Sequence, residues 1–319
     1  MRYLLKAAAV AALAGVCGLA SAPASAQGTK VGIGISGWTG FAPLVLAKEA
    51  GIFAKNGLDV SIKKIPQKDR HLAIASGDIQ CAATTAETWI GWNAGGVATK
   101  QIVLMDKSYG GDGMAARNEI KSIKDLKGKT VAASAPGTAP YFTLAWFLKK
   151  NGLSVKDVTI VNLEPSPAAT AFIAGQNDAA MTYEPYLSKV REAPDKGKII
   201  ATTLDYPMVM DSFGCSSKFL SESPKAVQAL VDSYFESLEL IAKDEAKAFG
   251  IMGADVKQTA EQFGNSAKYL RWQDKAANQK VFAGELQAFL TEAAQLLLEI
   301  GVVKTVPKIE DVIDTSFIK

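Results

Sequence analysis

The sequence predicts an α/β protein built as two similar Rossmann-like lobes, joined by two crossover strands, with a helical C-terminal part on the first lobe. Three observations predict it. Strand-like and helix-like patterns alternate in βαβα order over residues 30–105, the order of a mostly parallel sheet with helices on both faces. The same plan recurs from residue 129, and a unit of roughly 80–90 residues is too long for a solenoid repeat. After residue 223 the pattern is mostly helical.

Residues 1–26 read as a secretory signal. Arg2 and Lys6 form a positive start, residues 7–20 are almost wholly apolar, and Ala24-Ser25-Ala26 supplies a small-residue cleavage site before Gln27. Val16 and Ala14 are poor lipobox residues ahead of Cys17, so cleavage rather than lipid attachment is expected. No other apolar run is long enough to span a bilayer. The mature chain is therefore expected in the periplasm, exported and soluble. About 293 residues remain, which suggests two domains.

The first strand is expected at residues 30–35, followed by a helix over 41–55 that Asn56-Gly57 stops. Residues 58–65 alternate as a second strand. A short helix ends at Gly77-Asp78, and 79–84 is an apolar strand. A helix over 87–93 and a strand over 101–105 complete the first unit. In the second unit, 129–133 is a strand and Gly137-Thr138 a turn. Residues 141–150 form a helix with Pro140 in its first turn. Asn151-Gly152-Leu153 repeats Asn56-Gly57-Leu58, and the run from Gly175 to Glu184 mirrors that from Gly77 to Glu87. Gly-rich residues 108–116 and residues 203–213 read as the crossovers. That layout assigns 27–110 and 212–319 to the first lobe and 111–211 to the second. Long helices are expected from Ser223-Pro224, over 254–269 and over 278–300.

The full chain carries a net charge of +3, and two of its positive charges lie in the signal. Near-neutrality gives no support for nucleic-acid or membrane-surface binding. Export allows Cys81 and Cys215 to pair. Each lies in an apolar strand-like run, however, which predicts buried free thiols. The one histidine, His71, is expected on the surface. One histidine and two distant cysteines cannot make a typical zinc site, and no Gly-x-Ser-x-Gly or phosphate-loop motif is present. Neither an enzyme nor a cofactor is indicated.

Ligands of open α/β sheets sit beyond the carboxyl ends of the strands, and domain interfaces favour them. Four such ends supply the candidates. Trp38 and Phe41 follow the first strand, and Thr85 and Glu87 the third. Gly137, Thr138 and Tyr141, then Tyr183 and Glu184, are their counterparts in the second unit. Asp211 lies in the second crossover. Each has a structural alternative. Thr138 is a natural N-cap, and Thr84 with Glu87 fits a capping box. Glu184 is favourable at a helix start, and the aromatics can pack between lobes. Trp146 and Trp272 are assigned to packing.

These residues also carry a resemblance. Gly37-Trp38 with Pro43-Leu44, Ala47, Gly51 and Phe53 is similar to the N-terminal signature of the nitrate, sulfonate and taurine family of periplasmic substrate-binding proteins. Gly77-Asp78-Ile79, the run from Ile123 to Val131, Gly137-Thr138 with its long helix, and Thr182-Tyr183-Glu184-Pro185-Tyr186 also resemble that family. The resemblance implies a type II periplasmic binding protein that closes on a small solute and docks, as a monomer, on an ABC permease. It implies ligand contacts near 38, 85–87, 138–141, 183 and 211. The superfamily includes pyrimidine-precursor binders and pyrimidine-forming enzymes, whose Cys-rich signature is absent here.

A helix start at Thr138 suits an acid group. The four loops carry no Lys or Arg, whereas Glu87, Glu184 and Asp211 make the cleft acidic. A bare anion such as nitrate is then repelled. The expected solute is taurine or another small sulfonate, with an amino-heterocycle or a guanidine- or urea-like compound as the alternative.

Overall fold

The computed structural model describes residues 28–318. The signal, its cleavage site and Cys17 lie outside the described residues. The first sheet has six strands. They are β1 (Thr29–Ile35), β2 (Leu58–Lys64), β3 (Cys81–Thr85), β4 (Thr99–Ser108), and two that arrive much later, which become β10 (Met210–Ser216) and β11 (Leu270–Trp272). The second sheet has β5 (Asp112–Ala116), β6 (Thr130–Ala133), β7 (Thr159–Asn162), β8 (Ala179–Tyr183) and β9 (Lys198–Thr202). Their orders are β11-β4-β10-β3-β1-β2 and β7-β6-β8-β5-β9.

The repeat read from the sequence has a direct structural counterpart. In each sheet three strands pair in parallel, β2-β1-β3 and β7-β6-β8. Next to each trio lies one antiparallel strand arriving from the other lobe, β10 beside β3 and β5 beside β8. The sheets are therefore less parallel than the βαβα order alone suggests, because each crossover ends as an inserted strand.

That insertion overturns the expectation of free thiols. Antiparallel pairing of β10 with β3 sets Cys215 directly opposite Cys81, and the two form a disulfide with Cα atoms 3.9 Å apart. Adjacency of these strands is a property of the topology, invisible in either local run.

The helices bury their apolar faces on these sheets. Phe41 and Leu44 sit beneath the Pro224–Lys243 helix with Val227, Leu230 and Val231 in one cluster. Trp89 and Trp92 of the Thr88–Ala94 helix pack edge to face, and Trp89 donates its indole N–H to Ser212 Oγ on β10. His71 is half-buried rather than exposed, its ring stacked on Trp92. The helix expected over 278–300 is broken at Gly284 into Lys275–Lys280 and Leu286–Glu299, with a short π-turn between. The Leu286–Glu299 helix packs on Thr88–Ala94 of the first lobe and also on Ala139–Lys150 of the second. One continuous apolar cluster thus runs through both lobes, joining Trp89 and Leu104 to Phe142, Trp146 and Leu290. Among the described residues no helix is long and apolar enough to cross a membrane.

Candidate functional site

The carboxyl ends of β1 and β3 meet the end of β8 and the two crossovers around a small cavity of about 20 Å³. Trp38 enters from the loop after β1 in extended conformation, and is buried at 4% exposure. Its indole N–H donates to the Asp106 carboxylate at 3.2 and 3.3 Å. A Cβ on Gly40 would stand 2.0 Å from Asp106 Oδ2 and 2.2 Å from the indole nitrogen. Only glycine leaves room there for that hydrogen bond. The ring of Tyr183 meets Trp38 edge-on, centroids 5.6 Å apart.

Carboxyl groups dominate the surroundings. Asp211 on β10 lies opposite Asp106 on β4 and Thr85 on β3. Asp112 opens β5 and accepts no hydrogen bond at Oδ2. Glu87 accepts the Thr85 hydroxyl at 2.6 Å, and its other oxygen is also unpartnered. Glu87, Asp106, Asp112 and Asp211 are all nearly inaccessible. Burial disfavours their charged forms. It pushes Glu87 and Asp112 up to about 7. Asp106 and Asp211 rise well above the usual carboxylate range through burial and through the charges of neighbouring acids.

Among the described residues that line the cavity, one is a cation. Arg70, 1% exposed, projects from the Gln67–Ser76 helix. Its Nε donates to Ile65 O at 2.9 Å and its Nη1 to Ala83 O at 2.7 Å. Its Nη2 is buried without a partner. Burial lowers it to about 10, so the guanidinium stays charged at neutral pH.

Of the residues singled out from the sequence, Trp38, Phe41, Thr85, Tyr183 and Asp211 line this cavity. Glu87 lies behind Thr85. It is not part of a capping box, for at the head of the Thr88–Ala94 helix its side chain makes no capping bond. Gly137 holds the left-handed turn at φ 85°. Thr138 does not cap with its side chain; its hydroxyl donates to Ala135 O at 2.7 Å. The next residue, Ala139, reaches the cavity. Tyr141 is buried two residues further along. Glu184 is turned away, ion-paired with Arg191 and accepting Ser188 N–H at 3.2 Å. The Glu184–Pro185 peptide is cis.

Gln67, Arg70 and Asp112 are among the lining residues that were not anticipated. Arg70 shares a buried helical face with Ile74, at i and i+4. An arginine on an apolar face was the available signal. Asp112 offered none beyond its place in a crossover. Among the described residues, no group of three or more His, Cys, Asp or Glu is arranged to hold a metal ion.

Two α/β lobes on crossover strands, with a charged cavity between them, define the architecture of periplasmic binding proteins. The chain belongs to the NMT1/THI5-like family, whose model matches residues 38–248. It is 28% identical over 208 residues to a provisionally named binding protein of Brucella abortus (strain 2308), and it spans 62% of that relative's length. A provisionally named aliphatic sulfonates-binding protein of Bacillus subtilis (strain 168) is 25% identical, covering 87% of this chain and 84% of its own. The taurine-binding periplasmic protein of Escherichia coli (strain K12) is 25% identical over 88% of this chain and 90% of its own. The crystal structure of the periplasmic aliphatic sulphonate binding protein SsuA from Escherichia coli superposes with TM-score 0.75 at 19% identity. That match covers 90% of this chain and 92% of SsuA.

Proposed function

We propose that this protein is the periplasmic receptor of an ABC importer, exported by its first 26 residues and acting as a monomer. It binds a small zwitterionic organic solute in the interlobe cavity and delivers it to a membrane permease. Taurine is the first choice. The observation that carries this reading is the pair of opposite, unpartnered polar atoms among the cavity residues, Arg70 Nη2 and Asp112 Oδ2. A buried polar group without a partner costs about 1–3 kcal/mol, and more when charged. A solute with an acid group at one end and an ammonium at the other satisfies both.

In this reading the acid group lies on Arg70 and the ammonium on Asp112 and Asp211, with Trp38 and Tyr183 against the short carbon chain. Asp106 holds Trp38 in place. Solute bound between the lobes adds contacts to the closed form alone and so favours closure. The named functions of the Bacillus and Escherichia relatives point the same way.

A second reading, a guanidine-like or amino-heterocyclic cation, draws support from the surplus of acids. Four buried carboxyls, Glu87, Asp106, Asp112 and Asp211, face one arginine. Calorimetric titration with taurine, ethanesulfonate, nitrate, guanidine and 2-aminopyrimidine separates the two. The zwitterion reading expects taurine to bind best. Tight binding of guanidine or aminopyrimidine with none of taurine would replace it with the second, and tight binding of nitrate would refute both.

A further inference from the structure

Gln67 hydrogen-bonds to both sides of the cavity. It is the first residue of the Gln67–Ser76 helix, and it is half-buried. Its Nε2 donates to Thr84 Oγ1 at 2.8 Å and to Thr88 Oγ1 at 2.9 Å, both in the first lobe. Its Oε1 accepts the backbone N–H of Ala139 at 3.0 Å. Ala139 opens the Ala139–Lys150 helix of the second lobe. A backbone N–H can only donate, so the oxygen must face Ala139 and the nitrogen the threonines. The orientation of the amide is thereby fixed, and one neutral side chain bridges the cleft with protein atoms alone.

We propose that Gln67 is a built-in clasp that draws the lobes together and competes with the solute's acid group for the Ala139 N–H. Both Gln67 and Ala139 line the cavity. The Ala139 N–H stands at the start of a 12-residue helix, where an anion is a better acceptor than a neutral amide. Arg70 lies one turn along from Gln67 on the same helix, so a sulfonate or carboxylate entering beside Arg70 takes the N–H and Gln67 yields it. The competition rests on the solute class proposed above. The clasp does not.

The test is an interlobe distance measured by double electron–electron resonance between spin labels at Asp59→Cys and Thr170→Cys, both exposed positions on opposite lobes. It is run without solute, in chains carrying Gln67 or Gln67→Met. Methionine keeps the length of the side chain and removes its hydrogen bonds to both lobes. Loss of one neutral interlobe hydrogen bond should lower the closed-to-open ratio roughly two- to tenfold, seen as weight moving to longer distances. Identical distributions in the two chains would overturn the clasp. A melting curve on each chain checks that the variant is folded, and Gln67→Ala repeats the comparison if Gln67→Met is not. Stopped-flow mixing with taurine then reads the competition. Association should quicken by a similar factor in Gln67→Met, and an unchanged or slower rate would overturn displacement. Failure of taurine to bind either chain would overturn the solute assignment and with it the competition, while the solute-free distances still decide the clasp.

Discussion

Arg70 is the residue on which the chemistry of the cavity turns. Its Nε and Nη1 are spent on the carbonyls of Ile65 and Ala83, which fix the guanidinium plane and leave Nη2 free for a guest. Arg70→Met keeps the apolar stem and removes the charge. Hydrogen bonds to charged groups contribute about 1.5–3 kcal/mol, so taurine affinity measured by calorimetry should fall roughly 10- to 150-fold. An unchanged affinity would place the acid group elsewhere. At this scale the sequence was legible where strand ends were legible. Trp38, Thr85 and Tyr183 follow or close recognisable strands, and the structure sets them around one cavity. Arg70 and Gln67 come from the helix between two strands, a place where strand-end reasoning does not look. Thr138 shows the opposite error. A threonine before a helix reads as a cap, yet its hydroxyl turns back to Ala135.

The element that most shapes the site is β10. It leaves the second lobe, inserts between β3 and β4, and brings Asp211 opposite Asp106 and Thr85. The Cys81–Cys215 bond ties it to β3. Because that bond closes a loop with a sequence separation of 134 residues, it restricts the unfolded chain strongly. Replacing both cysteines by alanine should cost about 2–4 kcal/mol, read from urea midpoints under non-reducing conditions. A double variant as stable as the parent would show that the β3–β10 pairing needs no covalent tie. Most strands and helices were legible from alternation, glycine stops and helical periodicity. Pairing was not. Which strand lies beside β3 is decided by where the returning chain finds an open sheet edge, a long-range matter that local pattern does not encode.

Across the whole molecule, the buried acids make both folding and binding depend on pH, in opposite senses. Glu87 and Asp112 are pushed up to about 7 by burial, whereas in the unfolded chain such groups release their protons near pH 4. Between about pH 4 and 7 the folded protein therefore holds more protons than the unfolded one, and stability falls as pH rises. The solute-free protein should melt higher at pH 5 than at pH 8. Carboxylates held low by hydrogen bonds, such as Asp125 and Asp178, act below about pH 4 and leave this window alone. A melting temperature that rises from pH 5 to pH 8 would mean that the acid cluster is not protonated in the fold. An ammonium guest prefers the ionised acids, so solute should narrow the difference. The central claim is that the cavity recognises two opposite charges on one small molecule. Its most direct measurement is a calorimetric comparison of taurine with ethanesulfonate, which lacks only the amine, at pH 7.5. The account predicts that taurine binds about 100-fold more tightly, the worth of one or two charged hydrogen bonds. Equal affinities would contradict it.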